Sequence, residues 1–134
     1  MTTKLYPVAV YTIRHSKVLS EGAESGKPIK FRENKRWVSI AAHLKKANVI
    51  GERIPILFAA GETTDGVIYV GLLDSLIVSE PAAANGEYTE VTVSSLRRLD
   101  PKRPLNELRL VSTGKALSEG FIRPYAICHT PSFV

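Results

Sequence analysis

Hydrophobic and polar positions alternate clearly at the start of the chain. In Leu5–Ile13, Val8, Val10 and Thr12 fall on one side and Ala9, Tyr11 and Ile13 on the other, which predicts a β-strand. Pro7 has no N–H to give to a ladder, so it belongs at the strand's start or on an edge. Arg14–Pro28 is polar and contains Gly22 and Gly26, a pattern for a loop or a short helix, and Ile29–Phe31 follows as a short second strand. The period then changes. Ile40, Leu44 and Ala47 recur at helical spacing within Ser39–Asn48, with Lys45 and Lys46 near the C-terminal dipole, Ser39 as an N-cap and Asn48 or Gly51 as the stop. Strand character returns in Ile54–Ala60, Val67–Val78 and Tyr88–Ser94, the first two joined by the turn-rich Gly61–Gly66 into an expected antiparallel hairpin. Leu108–Val111 and Phe121–Cys128 complete the strand candidates, with Pro124 marking an edge or an irregular entrance.

Several short strands with one or two helices predict an α+β, predominantly β fold. Its sheet is expected to be open or closed into a small barrel, and one compact barrel-like domain is the reading. The 134 residues fit a single domain spanning 1–134, with Glu80–Gly86 as a surface loop and Asp100–Pro104 as a stiff basic connection. One cysteine rules out an internal disulfide framework, which makes a cytoplasmic, intracellular protein the expectation. The longest apolar run, Val67–Leu73, is too short to cross a bilayer, and no secretory h-region precedes the polar Arg14–Lys17 stretch.

Charge is distributed unevenly. Residues 1–55 carry eleven Lys/Arg against four Asp/Glu, a net of +7. Residues 56–95 carry six acidic groups and no Lys or Arg, and residues 96–134 return to +4. Such a chain can present a basic face that attracts phosphate. The densest stretch runs from Arg14 to Trp37. Within it Arg14, Lys17, Lys27, Lys30, Arg32, Lys35 and Arg36 are interleaved with Phe31 and Trp37. Cations steer a phosphate backbone and an aromatic face stacks on a base, so Arg14, Lys17, Lys27, Lys30, Arg32, Arg36 and Trp37 form the candidate ligand-binding set. Trp37 has a second reading as the anchor of the helix that follows it.

Other chemistry has little support in the residues. Cys128 adjoins His129, but neighbours on a strand point to opposite faces, and a free cysteine in an apolar run is commonly packed. His43 reads as a partly exposed neutral side chain on the helix. One cysteine and three scattered histidines offer no metal-ligand spacing, and no catalytic residue, metal or cofactor is expected. Ser112-Thr113-Gly114-Lys115 resembles a fragment of a phosphate loop, yet Arg109 stands where the first glycine is required and Ala116 follows the lysine. A polar turn is the reading there.

The order YTIRHSKVLSEGAESGKPIKFR, then GERIPILFAA and GVIYVGLLDSLIV, resembles the PUA-like superfamily, particularly its ASCH and EVE branches, over about residues 8–96. The resemblance implies a small β-barrel with flanking helices that binds RNA or modified bases, and some ASCH-like members hydrolyse modified nucleosides. Placing the ASCH pattern G-x-K-x-x-E-x-R on Arg32 matches Lys27 at the lysine, with Ser25 in the glycine position and Lys30 in place of the acid. Where hydrolytic members carry a threonine nucleophile, Lys30 has no hydroxyl. What carries over from the resemblance is anion binding by Lys27 and Arg32, and catalysis is not carried over. The expected function is binding of nucleic acid or a modified nucleotide in a basic cleft with aromatic stacking. The alternatives are a small hydrolase of a modified nucleoside, or a protein-interaction domain without nucleic-acid binding.

Overall fold

Seven consecutive buried residues, Ile54–Ala60, mark the middle of the sheet, where both faces of a strand are covered. The computed structural model describes residues 3–61, 66–117 and 125–134. Among these, the elements run β1 (Val8–Arg14), α1 (Ser16–Ser25), β2 (Ile29–Glu33), α2 (Val38–Val49), β3 (Ile54–Ala60), β4 (Gly66–Val78), β5 (Thr89–Pro104) and β6 (Tyr125–His129). They build one six-stranded sheet in the order β2-β5-β4-β3-β1-β6. Only β1 and β3 are parallel, joined by the excursion through α1, β2 and α2, and every other pair is antiparallel. The chain is therefore α+β with a predominantly β core.

The expected hairpin is present: β3 and β4 pair from Ile54 opposite Leu73 to Phe58 opposite Tyr69. Most of its turn, residues 62–65, lies outside the described residues, as do Phe121–Pro124 of the last predicted strand. The expected alternation of β1 also divides the two cores. Val8 and Val10 enter the cluster with Trp37, Ile40, Leu44, Ile56 and Phe58, beneath the helices. Ala9 and Tyr11 enter the opposite cluster with Leu57, Leu99, Leu105, Leu108, Leu117 and Cys128. That second face is covered by a 3-10 turn, Leu105–Glu107, and by the 108–117 hairpin, in which Leu117 N–H donates to Leu108 O at 2.9 Å. The Ser112–Lys115 stretch is the polar turn of this hairpin, closed by Leu110 N–H to Lys115 O at 2.9 Å.

Several expectations are corrected. The sheet is open and not closed into a barrel: β2 pairs with β5, which leaves β2 and β6 at opposite margins with no ladder between them. Layers on each face bury the apolar surface instead of strand closure. Arg14–Pro28 contains a ten-residue helix, with His15 as N-cap accepting from Lys17 N–H and Gly26 at φ 68° ending it in the left-handed region. Gly22 lets α1 lie close on the sheet, since a Cβ there would stand 2.6 Å from Ile29 Cγ2. In α2 the predicted stripe of Ile40, Leu44 and Ala47 is buried, but the N-cap is Trp37 and not Ser39. β5 runs through the supposed connection at Asp100–Pro104 and pairs Pro104 with Gly66. Among the described residues no helix is long and apolar enough to cross a membrane.

Candidate nucleic-acid interface

The basic stretch straddles β2, and strand alternation sorts it into two groups. Ile29 and Phe31 turn inward and pack against the core beneath the helices. Lys30 and Arg32 point the other way and are exposed, with β5 residues Thr92 and Glu90 directly opposite them. Lys27, exposed, precedes the strand just after the helix-ending Gly26, and its N–H donates to Ser25 Oγ at 3.1 Å. Exposed Lys35 follows the strand. The far margin of the sheet is bordered by residues 109–111, where His129 N–H donates to Arg109 O at 2.9 Å and Val111 N–H to Ile127 O at 3.0 Å. The β2 margin carries exposed Lys30 and Arg32, with Lys27 and Lys35 on either side of the strand.

Two arginines converge on the point where β4 hands over to β5. Ser79 N–H donates to Tyr88 O at 2.9 Å and Tyr88 N–H returns to Ser79 Oγ at 2.9 Å, closing the base of the intervening loop. Arg36 Nε donates to Ser79 O at 2.7 Å, so its guanidinium is held at this closure. The Arg32 guanidinium lies over the Tyr88 ring, 3.8 Å from its centroid. A guanidinium stacked on an aromatic ring is oriented before any ligand arrives, and its in-plane N–H groups stay directed outward. Thr89 anchors the same corner: its hydroxyl donates to Lys35 O at 2.7 Å and accepts from Trp37 N–H at 2.9 Å.

The remaining candidates take other roles. Arg14 ends β1 on the inner side of β2, where it forms an ion pair with Glu33 and lies 4.1 Å from the Phe31 ring centroid. Burial lowers its pKa from the ordinary arginine value, although a guanidinium stays charged throughout the accessible pH range. Its charge is answered by Glu33, so Arg14 fastens β1 to β2. Lys17 is exposed in the first turn of α1, on a different element from the β2 cations. Trp37 is corrected outright as a stacking surface. It is 0% exposed, with Tyr125 at 4.7 Å and Phe31 at 6.4 Å between ring centroids. Its indole N–H and the Arg14 Nε–H are both buried without an acceptor among the described residues. The tryptophan is the anchor that starts α2.

Tyr88 is the exposed-side aromatic that sequence reasoning missed. The sequence pattern puts it at the start of a strand, and only the pairing of Glu33 with Thr89 brings that start beside β2. Cys128 is fully buried on the second face, and desolvation pushes its thiol up to about 12, the opposite of an activated nucleophile. His43 packs edge-on to Tyr6 at 6.0 Å. Among the described residues no three His, Cys, Asp or Glu side chains group as metal ligands. Comparison with protein-family models, curated proteins and solved structures finds no match to this chain.

Proposed function

We propose that this protein binds single-stranded nucleic acid, or a modified nucleotide within it, along the outer side of β2. The observation that carries the reading is the stacked Arg32–Tyr88 pair set among Lys27, Lys30, Lys35 and Arg36. The lysines neutralise successive phosphates, and Arg36, held on Ser79 O, adds a positioned guanidinium. The Arg32–Tyr88 stack offers a flat surface on which an unpaired base can lie, the sequence-tolerant contact typical of single-strand binding. Glu90 opposite Arg32 tempers the field locally, and Glu33 is occupied by Arg14. The PUA-like resemblance belongs to this proposal and supports it through its nucleic-acid-binding members. A cytoplasmic location is part of the same reading.

The test is fluorescence anisotropy with a labelled single-stranded fifteen-nucleotide probe over a salt series. Neutralising four or five phosphates gives a slope of log K against log salt of roughly −3 to −3.5. Replacing Lys30, Arg32 and Arg36 together by alanine should reduce that slope in magnitude by about 2. Tyr88→Ala should weaken binding about tenfold while Tyr88→Phe, which keeps the ring, should not. Equal affinity and equal salt dependence for wild type and the folded triple variant would sink the proposal.

A further inference from the structure

A cavity of about 200 Å3 opens against the β3–β4–β5 part of the sheet, between Leu5, Pro55, Val70, Leu72, Ser95 and Arg97. Its position follows from an irregularity in the ladder. Val70 pairs with Arg97 but Leu72 pairs with Ser94, so the single residue Gly71 faces Ser95 and Leu96 together. Such a bulge bends its strand and interrupts the ladder. Ser95 sits at φ 52°, in the left-handed region that a residue with a side chain rarely adopts. Strain of this kind, held in place by the fold beside a cavity, is a recurrent property of binding sites.

The lining divides chemically. Leu5, Pro55, Val70, Leu72 and Val134 are apolar, whereas Thr3, Ser95 and Arg97 are polar and exposed. Arg97, like Arg98, differs from the ion-paired arginines among the described residues. Arg14 is paired with Glu33, Arg53 with Asp74, and Arg103 with Glu107. Arg97 makes no side-chain hydrogen bond or ion pair among the described residues. An unmatched guanidinium at the side of an apolar hollow selects a ligand with a carboxylate at one end and hydrocarbon at the other. Size sets the hydrocarbon. An apolar cavity of ~150 Å3 accepts benzene, so this one holds a single ring or a chain of roughly six carbons.

We propose that this cavity is a binding site for a small amphipathic carboxylate, its anionic end on Arg97 and Ser95 and its hydrocarbon against Leu5, Pro55, Val70 and Leu72. The site is independent of the β2 surface. Between them lies a closed polar group, in which Arg53 pairs with Asp74 and Ser94 Oγ donates to Asp74 Oδ1 at 2.7 Å.

Titration with hexanoate or phenylacetate, followed by amide chemical shifts, tests the assignment. The expected result is saturable movement of the Leu5, Val70, Leu72 and Ser95 amides, with an oligonucleotide failing to compete. Arg97→Gln should raise Kd about 10- to 100-fold, the range for loss of a charge-assisted hydrogen bond, without changing the melting temperature. Hexanol, which has the chain and lacks the charge, should bind at least tenfold more weakly than hexanoate. Absence of shifts at these amides overturns the proposal. So does an Arg97→Gln protein that binds hexanoate as wild type does, or equal binding of hexanol. Because Arg97 is exposed, its variant tests the anion contact without disturbing the core.

Discussion

Removing the Trp37 side chain is the most direct probe of how the helix layer is held on the sheet. Burying an aromatic of this size removes about 150–250 Å2 from water, worth roughly 4–6 kcal/mol at 25 cal/mol per Å2 as an upper estimate. Partial collapse of the site brings Trp37→Ala to a loss of about 3–5 kcal/mol. The structure makes Trp37→Phe much milder. Phenylalanine keeps a ring against Tyr125 and Phe31, and it deletes an indole N–H that is buried without an acceptor. The desolvation cost of an orphaned donor, about 1–3 kcal/mol, offsets most of the lost area, so this variant should lie within about 1 kcal/mol of wild type. For a domain of this size 1 kcal/mol moves the melting temperature by roughly 3–5 °C, so Trp37→Ala should melt about 10–20 °C lower. Thermal denaturation followed by circular dichroism measures both. Because Trp37 is the single tryptophan, its fluorescence gives a second reading: blue-shifted emission, shielded from iodide and unchanged by oligonucleotide. A Trp37→Ala protein as stable as wild type, or tryptophan emission quenched freely by iodide, would refute the placement of this side chain in the core.

Close packing of α1 supplies another prediction: Gly22→Ala should cost about 1–2 kcal/mol in chemical denaturation, because overpacking against Ile29 Cγ2 outweighs the gain in helix propensity. Adding Ile29→Ala should make the pair less destabilised than the sum of the single variants, since both act on one contact. Alkaline stability should decline from about pH 9 upward, as Cys128 and Tyr11 are both raised to about 12 by burial. The folded chain holds these protons while the unfolded chain releases them, so stability is complete below the unfolded values and is lost as pH climbs toward the folded ones. Cys128→Ala should flatten the first part of that decline in urea titrations, and the native thiol should resist a disulfide reagent at pH 8.

What the chain determined by itself was local. The two sides of β1, the buried stripe of α2 and the β3–β4 hairpin each depend on neighbours a few positions apart, where periodicity reports directly which side chains enter the core. Charge segregation likewise placed the cations around β2 before any fold was known. The rest required distant segments to meet. Ile29 pairs with Val93 and Arg32 with Glu90, across separations no local pattern encodes, and that pairing made β2 a margin and left the sheet open. It also brought Tyr88 beneath Arg32, and so decided which aromatic the basic surface contains. The opposite fates of Trp37 and Tyr88 have one cause. An aromatic beside cations has no inherent preference between stacking on a ligand and filling a core. Tyr125 from β6 and Phe31 from β2 close around Trp37, because assembling their apolar area there removes more surface from water than leaving the indole outside. Likewise Arg14 reads as a free cation in the sequence, and only the meeting of the ends of β1 and β2 gives it Glu33 as a partner.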